Sequence, residues 1–411
     1  MVYFEEKELR RVVLQIIENQ GFSVNSEITL SKGSDKGDGY LGEIVRVLVK
    51  DGANNLNLIA KIAMNDEKIR ATFPYSEAFK NEIHLYEKIF PALVKLQIEA
   101  NFPSLFNPVP RFYSASTSLN HEYLILEDLK SSRFEMLDLK ELLDHEHTKA
   151  IFETYGKLHG TFFALKILKN EQFFELVSEV QDVMKIMFVK NNIGEEYPKV
   201  WKYIQKVMKD KGVENERIIN YAENSLTIMQ NFCNIGKEKF HCFLHGDCWS
   251  NNLMFRHKNF NDHKEVDEMK LLDWQACKVG PPVYDLSYTF YSGAPKEILA
   301  NLEKYLKIYH ESLSKILLQF HLDVNTVYPF EEMKRQWKKY YHYGAILSGP
   351  IWKFRSFGEN QGVDPLNYKS DDGSTYMNAI SSADCDTDYL YANIKNLLHH
   401  LDEIDDRKIL N

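Results

Sequence analysis

The spacing of apolar residues changes several times along the chain, and each change predicts a different kind of element. From Glu5 to Asn19, Leu9, Val12, Val13, Ile16 and Ile17 recur at helical spacing on one face, and Gly21 follows as a C-cap. Ile44–Val49 and Leu56–Met64 then read as strands joined at the Asp51-Gly52 turn. Ahead of them lies Ser31–Gly42, with glycines at 33, 37, 39 and 42. Helical spacing returns over Ser76–Phe90, where Phe79, Ile83, Tyr86 and Phe90 form a stripe that Pro91 is expected to end. His121–Leu129 reads as a buried strand running into Lys130-Ser131-Ser132. Thr148–Leu168, 171–188, 198–210 and 217–235 are helical, as are 295–320, 330–347 and 387–405, while polar Gly358–Thr387 reads as a long loop near an acceptor pocket.

Composition narrows the class. The 411 residues exceed one compact core and suggest two lobes, which 44% hydrophobic and 13% aromatic content is ample to fill. A net charge of −9, without a basic cluster among aromatics, argues against a nucleic-acid or anionic-membrane surface. The acidic start carries no long apolar run of the secretory kind, and no run is long enough to span a bilayer. Five scattered cysteines fit a reducing compartment, so the expectation is a cytoplasmic protein, taken as a monomer.

Chemistry concentrates in Phe240–Phe255. A short apolar run reaches His245-Gly246-Asp247, and Asn252 follows five residues after the Asp. Asp273 ends another apolar segment, Lys270-Leu271-Leu272. An Asp, an Asn five positions on and a later strand-borne Asp form the acidic half of a kinase site: the first orients an attacking hydroxyl, and the others hold Mg²⁺ on the phosphates. Upstream, the glycine-rich turn can lay its amides over phosphates. Lys61 shares a strand face with Ile59 and Ala63, a costly place for an ammonium without a partner or ligand. The 76–90 helix offers it two partners, Glu82 and Glu87, flanking the apolar stripe. The 121–129 strand ends as a connector whose backbone can meet an adenine edge, with Leu126 and Leu129 near the ring.

Other candidates receive plainer readings. His159, among Tyr155, Phe162 and Phe163, is read as a core histidine, and Asp285 as a cap and loop anchor. Arg256–Glu268 is read as an exposed hairpin extension. His241, Cys242, His245 and Cys248 do not have zinc spacing, because neighbours in a strand point to opposite faces and no second pair follows. Tyr340, Tyr341, Tyr343, Trp352 and Phe354 could wall an acceptor pocket, but core or surface helix positions are the preferred reading.

His245-Gly246-Asp247-x-Trp249-x-Asn251-Asn252, followed by Leu272-Asp273-Trp274-Gln275, resembles the ecdysteroid kinase-like family, which belongs with the aminoglycoside and choline phosphotransferases. Lys32-Gly33-Ser34-x-Lys36-Gly37-Asp38-x-Tyr40 and Phe79-x-x-Glu82-x-x-x-Tyr86-x-x-x-Phe90-Pro91 are similar too. So are Leu126-Glu127-Asp128-Leu129 and Gly280-Pro281-Pro282-x-x-Asp285-Leu286. Trp274 stands where the family more often has Phe. The resemblance implies an α+β, bilobal protein-kinase-like fold: an N-terminal antiparallel sheet lobe with helices, 1–129, ending in a hinge, and a larger, mainly helical C-terminal lobe, 130–411. It implies ATP and Mg²⁺, with Asp247 as base, Lys61 and Glu82 as the phosphate-anchoring pair, and Asn252 and Asp273 as metal ligands. Gly33, Gly37, Gly39, Glu127 and Leu129 would surround the nucleotide. The implied partner is a small-molecule hydroxyl acceptor, an ecdysteroid or a xenobiotic alcohol, phenol or glycoside. Choline- or aminoglycoside-type transfer and a non-catalytic ligand-binding protein are the alternatives. The lack of D-F-G and A-P-E segments after Asp273 argues against a peptide acceptor.

Overall fold

A computed structural model describes residues 6–33, 42–64, 67, 70, 73–190, 197–234, 238–259, 263–357, 383–406 and 410. Helix α1 (Glu6–Asn19) covers one face of an antiparallel sheet. The strands are β1 (Glu27–Lys32), β2 (Glu43–Asp51), β3 (Asn54–Ile62), β4 (Phe112–Ser116) and β5 (Tyr123–Glu127), in the order β1-β2-β3-β5-β4. Alternation sorts the side chains of β3. Leu58, Ala60 and Ile62 are buried in a cluster with Leu9, Val12, Val13, Ile16 and Ile17 of α1. Burying those five side chains of α1 contributes on the order of 10 kcal/mol before the entropy of ordering is subtracted. Ile59 and Lys61, one residue out of phase, project from the opposite face.

That face meets helix α2 (Tyr75–His84), and here one expectation is corrected. Pro91 does not end the helix. A π turn at Leu85–Ile89 leads straight into α3 (Phe90–Glu99), with Pro91 in its first turn. The wide turn, in which the Phe90 amide reaches back to Leu85 O, absorbs the donor that proline lacks.

The larger lobe is helical: α4 (His145–Leu168), α5 (Asn170–Ser178), α6 (Tyr197–Asp210), α7 (Glu216–Cys233), α8 (Val283–Gly293), α9 (Leu302–Gln319), α10 (Phe330–Arg355) and α11 (Thr387–Asp405). The helix expected over 171–188 breaks after Ser178 and restarts at Val183, where Asp182 caps it. Two short ribbons sit among the helices, β6 (Cys242–Leu244) with β9 (Lys278–Gly280), and β7 (Leu253–His257) with β8 (Val266–Leu271). The chain thus has the bilobal, protein-kinase-like α+β architecture, an antiparallel sheet lobe joined to a larger helical lobe.

Helix α8 is buried along its whole length and packs on α10. Tyr340, Tyr341, Tyr343, Trp352 and Phe354 are buried in the hydrophobic core. The 256–268 extension is only partly exposed: His257 is buried, its Nε2 3.1 Å from His147 Nε2. Residues 358–382 of the expected long loop lie outside the described residues. Among the described residues, no helix is long and apolar enough to cross a membrane.

Candidate active site

β3 carries Lys61 into the space between the lobes, and α2 brings Glu82 to it. Lys61 Nζ lies 2.8 Å from Glu82 Oε2 and 2.9 Å from Asp273 Oδ1, so it bridges both lobes. The second Glu82 oxygen accepts the Trp274 amide at 3.3 Å. Burial alone would depress the Lys61 ammonium, but the Asp273 and Glu82 carboxylates outweigh it and hold its pKa well above the ordinary value. Burial raises the Glu82 carboxyl even with Lys61 beside it. Glu87, the other candidate partner, is exposed. Asp273 adopts left-handed backbone, φ 59° and ψ 70°, a conformation Asp tolerates better than most residues.

The loop after β6 is pinned at its start. Asp285, on the first turn of α8, accepts the His245 amide on Oδ2 at 2.7 Å and the Gly246 amide on Oδ1 at 2.9 Å. His159 Nε2 lies 3.3 Å from the same carboxylate and His159 Nδ1 3.0 Å from Tyr309 OH, which makes it the satisfied core histidine expected. Burial would raise the Asp285 pKa, but His159 and the loop amides outweigh it and keep it below the usual carboxylate value. Burial pushes the His245 imidazole down, hence neutral: its Nε2–H donates to Leu272 O at 2.8 Å and Nδ1 accepts the Asp247 amide at 3.2 Å. Gly246 has φ +86°, and a Cβ there would lie 2.1 Å from Ala276 O, so the turn requires glycine.

Asp247 is held from two sides. Its Oδ2 accepts Asn252 Nδ2 at 3.0 Å and its Oδ1 accepts Tyr288 OH at 3.1 Å. Burial, then the charge of Asp273, push its pKa up to about 7 against the opposing pull of Tyr288, Asn252 and Lys61. Asn252 Nδ2 also donates to Asp247 O at 2.8 Å, which leaves Asn252 Oδ1 without a partner among the described residues.

A cleft of about 230 Å³ collects these groups. Gly33, Lys61, Glu82, Glu127, Leu129, Asp247, Asn252 and Asp273 all border it, and Ile44, Ile59, Leu126, Met136, Met254 and Leu272 supply apolar walls. Gly37 and Gly39 lie outside the described residues. At the hinge, Glu127 turns its carboxylate to the Arg111 amide and Ser132 Oγ, each at 3.2 Å. The Leu129 amide has no partner among the described residues. A larger hollow of about 650 Å³ opens behind the hinge but borders only Pro110 and Glu127 of the cleft residues. Among the described residues no three His, Cys, Asp or Glu side chains converge as a metal cluster, and Cys248 Sγ is turned to Asp285 O at 3.0 Å.

Two cleft contacts escape sequence reasoning. Tyr288 reaches Asp247 from α8, and Arg46 of β2 reaches Asp128 at the hinge. A signal for the first existed: Tyr288 lies three residues after Asp285, on the same helix face. For Arg46 the strand alternation that places Ile44 and Arg46 on one side was the available clue.

The sequence profile of the ecdysteroid kinase-like family matches residues 36–322, most of the chain and every candidate site residue except Gly33. The chain belongs to the ecdysteroid kinase-like family. As a member it is a phosphotransferase that takes a hydroxyl group of a small molecule as acceptor. No curated protein matches it. Among solved structures, it is similar to a spectinomycin phosphotransferase in complex with ADP and spectinomycin, at 8% identity over 94% of this chain and 98% of that one, with a TM-score of 0.38. It is also similar to the GDP complex of wild-type aminoglycoside 2'-phosphotransferase-IIIa, at 11% identity over 83% and 98% of the two chains, with a TM-score of 0.35. A glucosamine kinase is similar at 11% identity over 84% and 83%, with a TM-score of 0.32.

Proposed function

We propose that this ecdysteroid kinase-like protein transfers the γ-phosphoryl group of ATP to a hydroxyl of a small lipophilic acceptor, an ecdysteroid or a xenobiotic alcohol, phenol or glycoside. One observation carries the reading: Lys61, Asp273, Asp247 and Asn252 converge on a single cleft between the lobes, divided after Leu129. In this reading adenine lies between the apolar walls with its edge on the Leu129 amide, and the phosphates run past Gly33 toward Lys61, all residues that border the cleft. The acceptor oxygen forms a bond to the γ-phosphorus as the bond to the β–γ bridging oxygen breaks. Its proton passes to Asp247, and ADP leaves. Held at both oxygens, Asp247 orients the hydroxyl without rearranging, so positioning supplies much of the rate gain.

The free Asn252 Oδ1 and the Asp273 carboxylate fit the hard-oxygen donor set of Mg²⁺, which would neutralise phosphate charge there. Trp249 borders the cleft beside Asp247, backed edge-on by Phe354 at 5.9 Å, which favours an apolar acceptor over a polycation. Asp247→Asn is the first test. Transfer is expected to fall by roughly a thousandfold or more while nucleotide affinity stays within about twofold. Transfer at the wild-type rate would remove Asp247 from the role of base.

A further inference from the structure

The mouth of the cleft carries a charged pair that the proposed chemistry does not use. Arg46 on β2 stands opposite Ile59, one same-face step along from Ile44 and Lys61. Its Nε donates to Asp128 Oδ2 at 2.6 Å, a contact between residues 82 positions apart that ties the sheet to the hinge. Asp128 is itself fixed: its amide donates to Asn57 O at 3.0 Å and its Oδ1 accepts the Lys130 amide at 3.1 Å. Arg46 therefore has a defined orientation, although 31% of its side chain is exposed. Only Nε is engaged among the described residues, which leaves both terminal nitrogens of a flat guanidinium without a partner there, on a side chain that borders the cleft. A mere surface ion pair would do as well anywhere along the sheet and would contribute little. This one joins the residue just before Leu129 and borders the same cleft as the apolar walls, where a planar base would lie.

We propose that Arg46, oriented by Asp128, is a nucleoside-recognition residue: its guanidinium caps the purine and ribose end of a bound nucleotide at the cleft mouth. This rests on the reading of the cleft as a nucleotide site. A guanidinium stacks on a ring face and donates in its own plane, which an ammonium cannot do. Lys61 serves the phosphates and Arg46 the nucleoside, so their losses separate on ligands that contain only one half.

The test is calorimetric titration of the full chain, which needs no knowledge of the acceptor. Mg-ATP, adenosine and Mg-tripolyphosphate are titrated into wild type, Arg46→Ala, Arg46→Lys, Asp128→Asn and Lys61→Ala. Arg46→Ala is expected to weaken ATP and adenosine about tenfold each and leave tripolyphosphate within about twofold. Arg46→Lys restores the charge without the plane and should not rescue adenosine, Asp128→Asn should fall between, and Lys61→Ala should show the reverse split. Adenosine is neutral, so its loss cannot be long-range attraction. Unchanged adenosine affinity in Arg46→Ala, or an equal loss on tripolyphosphate, overturns the assignment of Arg46. A wild-type protein that binds none of the three overturns the nucleotide site itself.

Discussion

At the scale of single residues, the site is a set of buried charges whose costs are met by particular partners. Asp247 has its pKa raised to about 7, so it is a competent base above that pH and is protonated below. The kcat/KM for transfer is expected to rise with pH through about 7 and then level, as a pH–rate profile would record. The same shift bears on stability, with opposite sign. The folded chain keeps a proton on Asp247 that the unfolded chain releases near 3.8, so the stabilisation is present below that pH and lost as pH rises through about 7. Asp247→Asn should therefore melt higher than wild type, by a margin that grows between these pH values and is constant above; a margin independent of pH contradicts the shift. Lys61 and Glu82 behave differently, as a pair. Lys61→Met strands a buried carboxylate and is expected to cost about 3–5 kcal/mol by denaturant melts, most of it recovered when Glu82→Gln is added.

The residues that could be read from sequence are those whose spacing is local. Asp247 and Asn252 belong to one loop, and Asp273 ends the next strand, so their intervals survive in the chain. Alternation alone put Lys61 on the cleft face, but it could not choose between Glu82 and Glu87. Tyr288 and Arg46 carried only an indirect clue, their place on a helix or strand face, because the partners that bring them into the site lie 41 and 82 positions away, a distance only packing closes.

Elements bring these residues together, and α8 is the one on which the loop depends. It delivers Asp285 to two loop amides and Tyr288 to Asp247. Its position is set where α10 crosses at Gly344: a Cβ there would meet Ser287 C at 2.3 Å and Tyr288 N at 2.4 Å. Gly344→Ala is expected to destabilise by about 1–3 kcal/mol and, by shifting Tyr288, to lower kcat for transfer more than nucleotide affinity. Equal losses in both would mean α8 supports the fold without setting the base. Strands β2, β3 and β5 and most of the long helices were legible from periodicity, whereas the passage through Pro91 into α3 was not. Proline usually ends a helix, and nothing in the local pattern announces the π turn that accommodates it. β1, β4 and β9 escaped for a related reason, being short and dependent on neighbours for their pairing.

For the whole molecule, the two lobes supply complementary halves of the candidate site. The sheet lobe brings Gly33, Lys61 and Glu82, and the helical lobe brings Asp247, Asn252 and Asp273, with Lys61–Asp273 and Glu82–Trp274 among the contacts that join them. The order of those parts along the chain made the fold readable. The acceptor was not readable, because aromatic residues on core helices look the same in sequence whether they face a ligand or one another. Phosphoryl transfer is read out by mass detection of a phosphate adduct after incubation with Mg-ATP. The panel holds an ecdysteroid, choline, an aminoglycoside and several plant glycosides and phenols, each run with wild type and Asp273→Ala. An adduct on a lipophilic alcohol, absent in Asp273→Ala, is the expected result; an adduct formed equally well by Asp273→Ala, or a protein that never binds Mg-ATP, would contradict it.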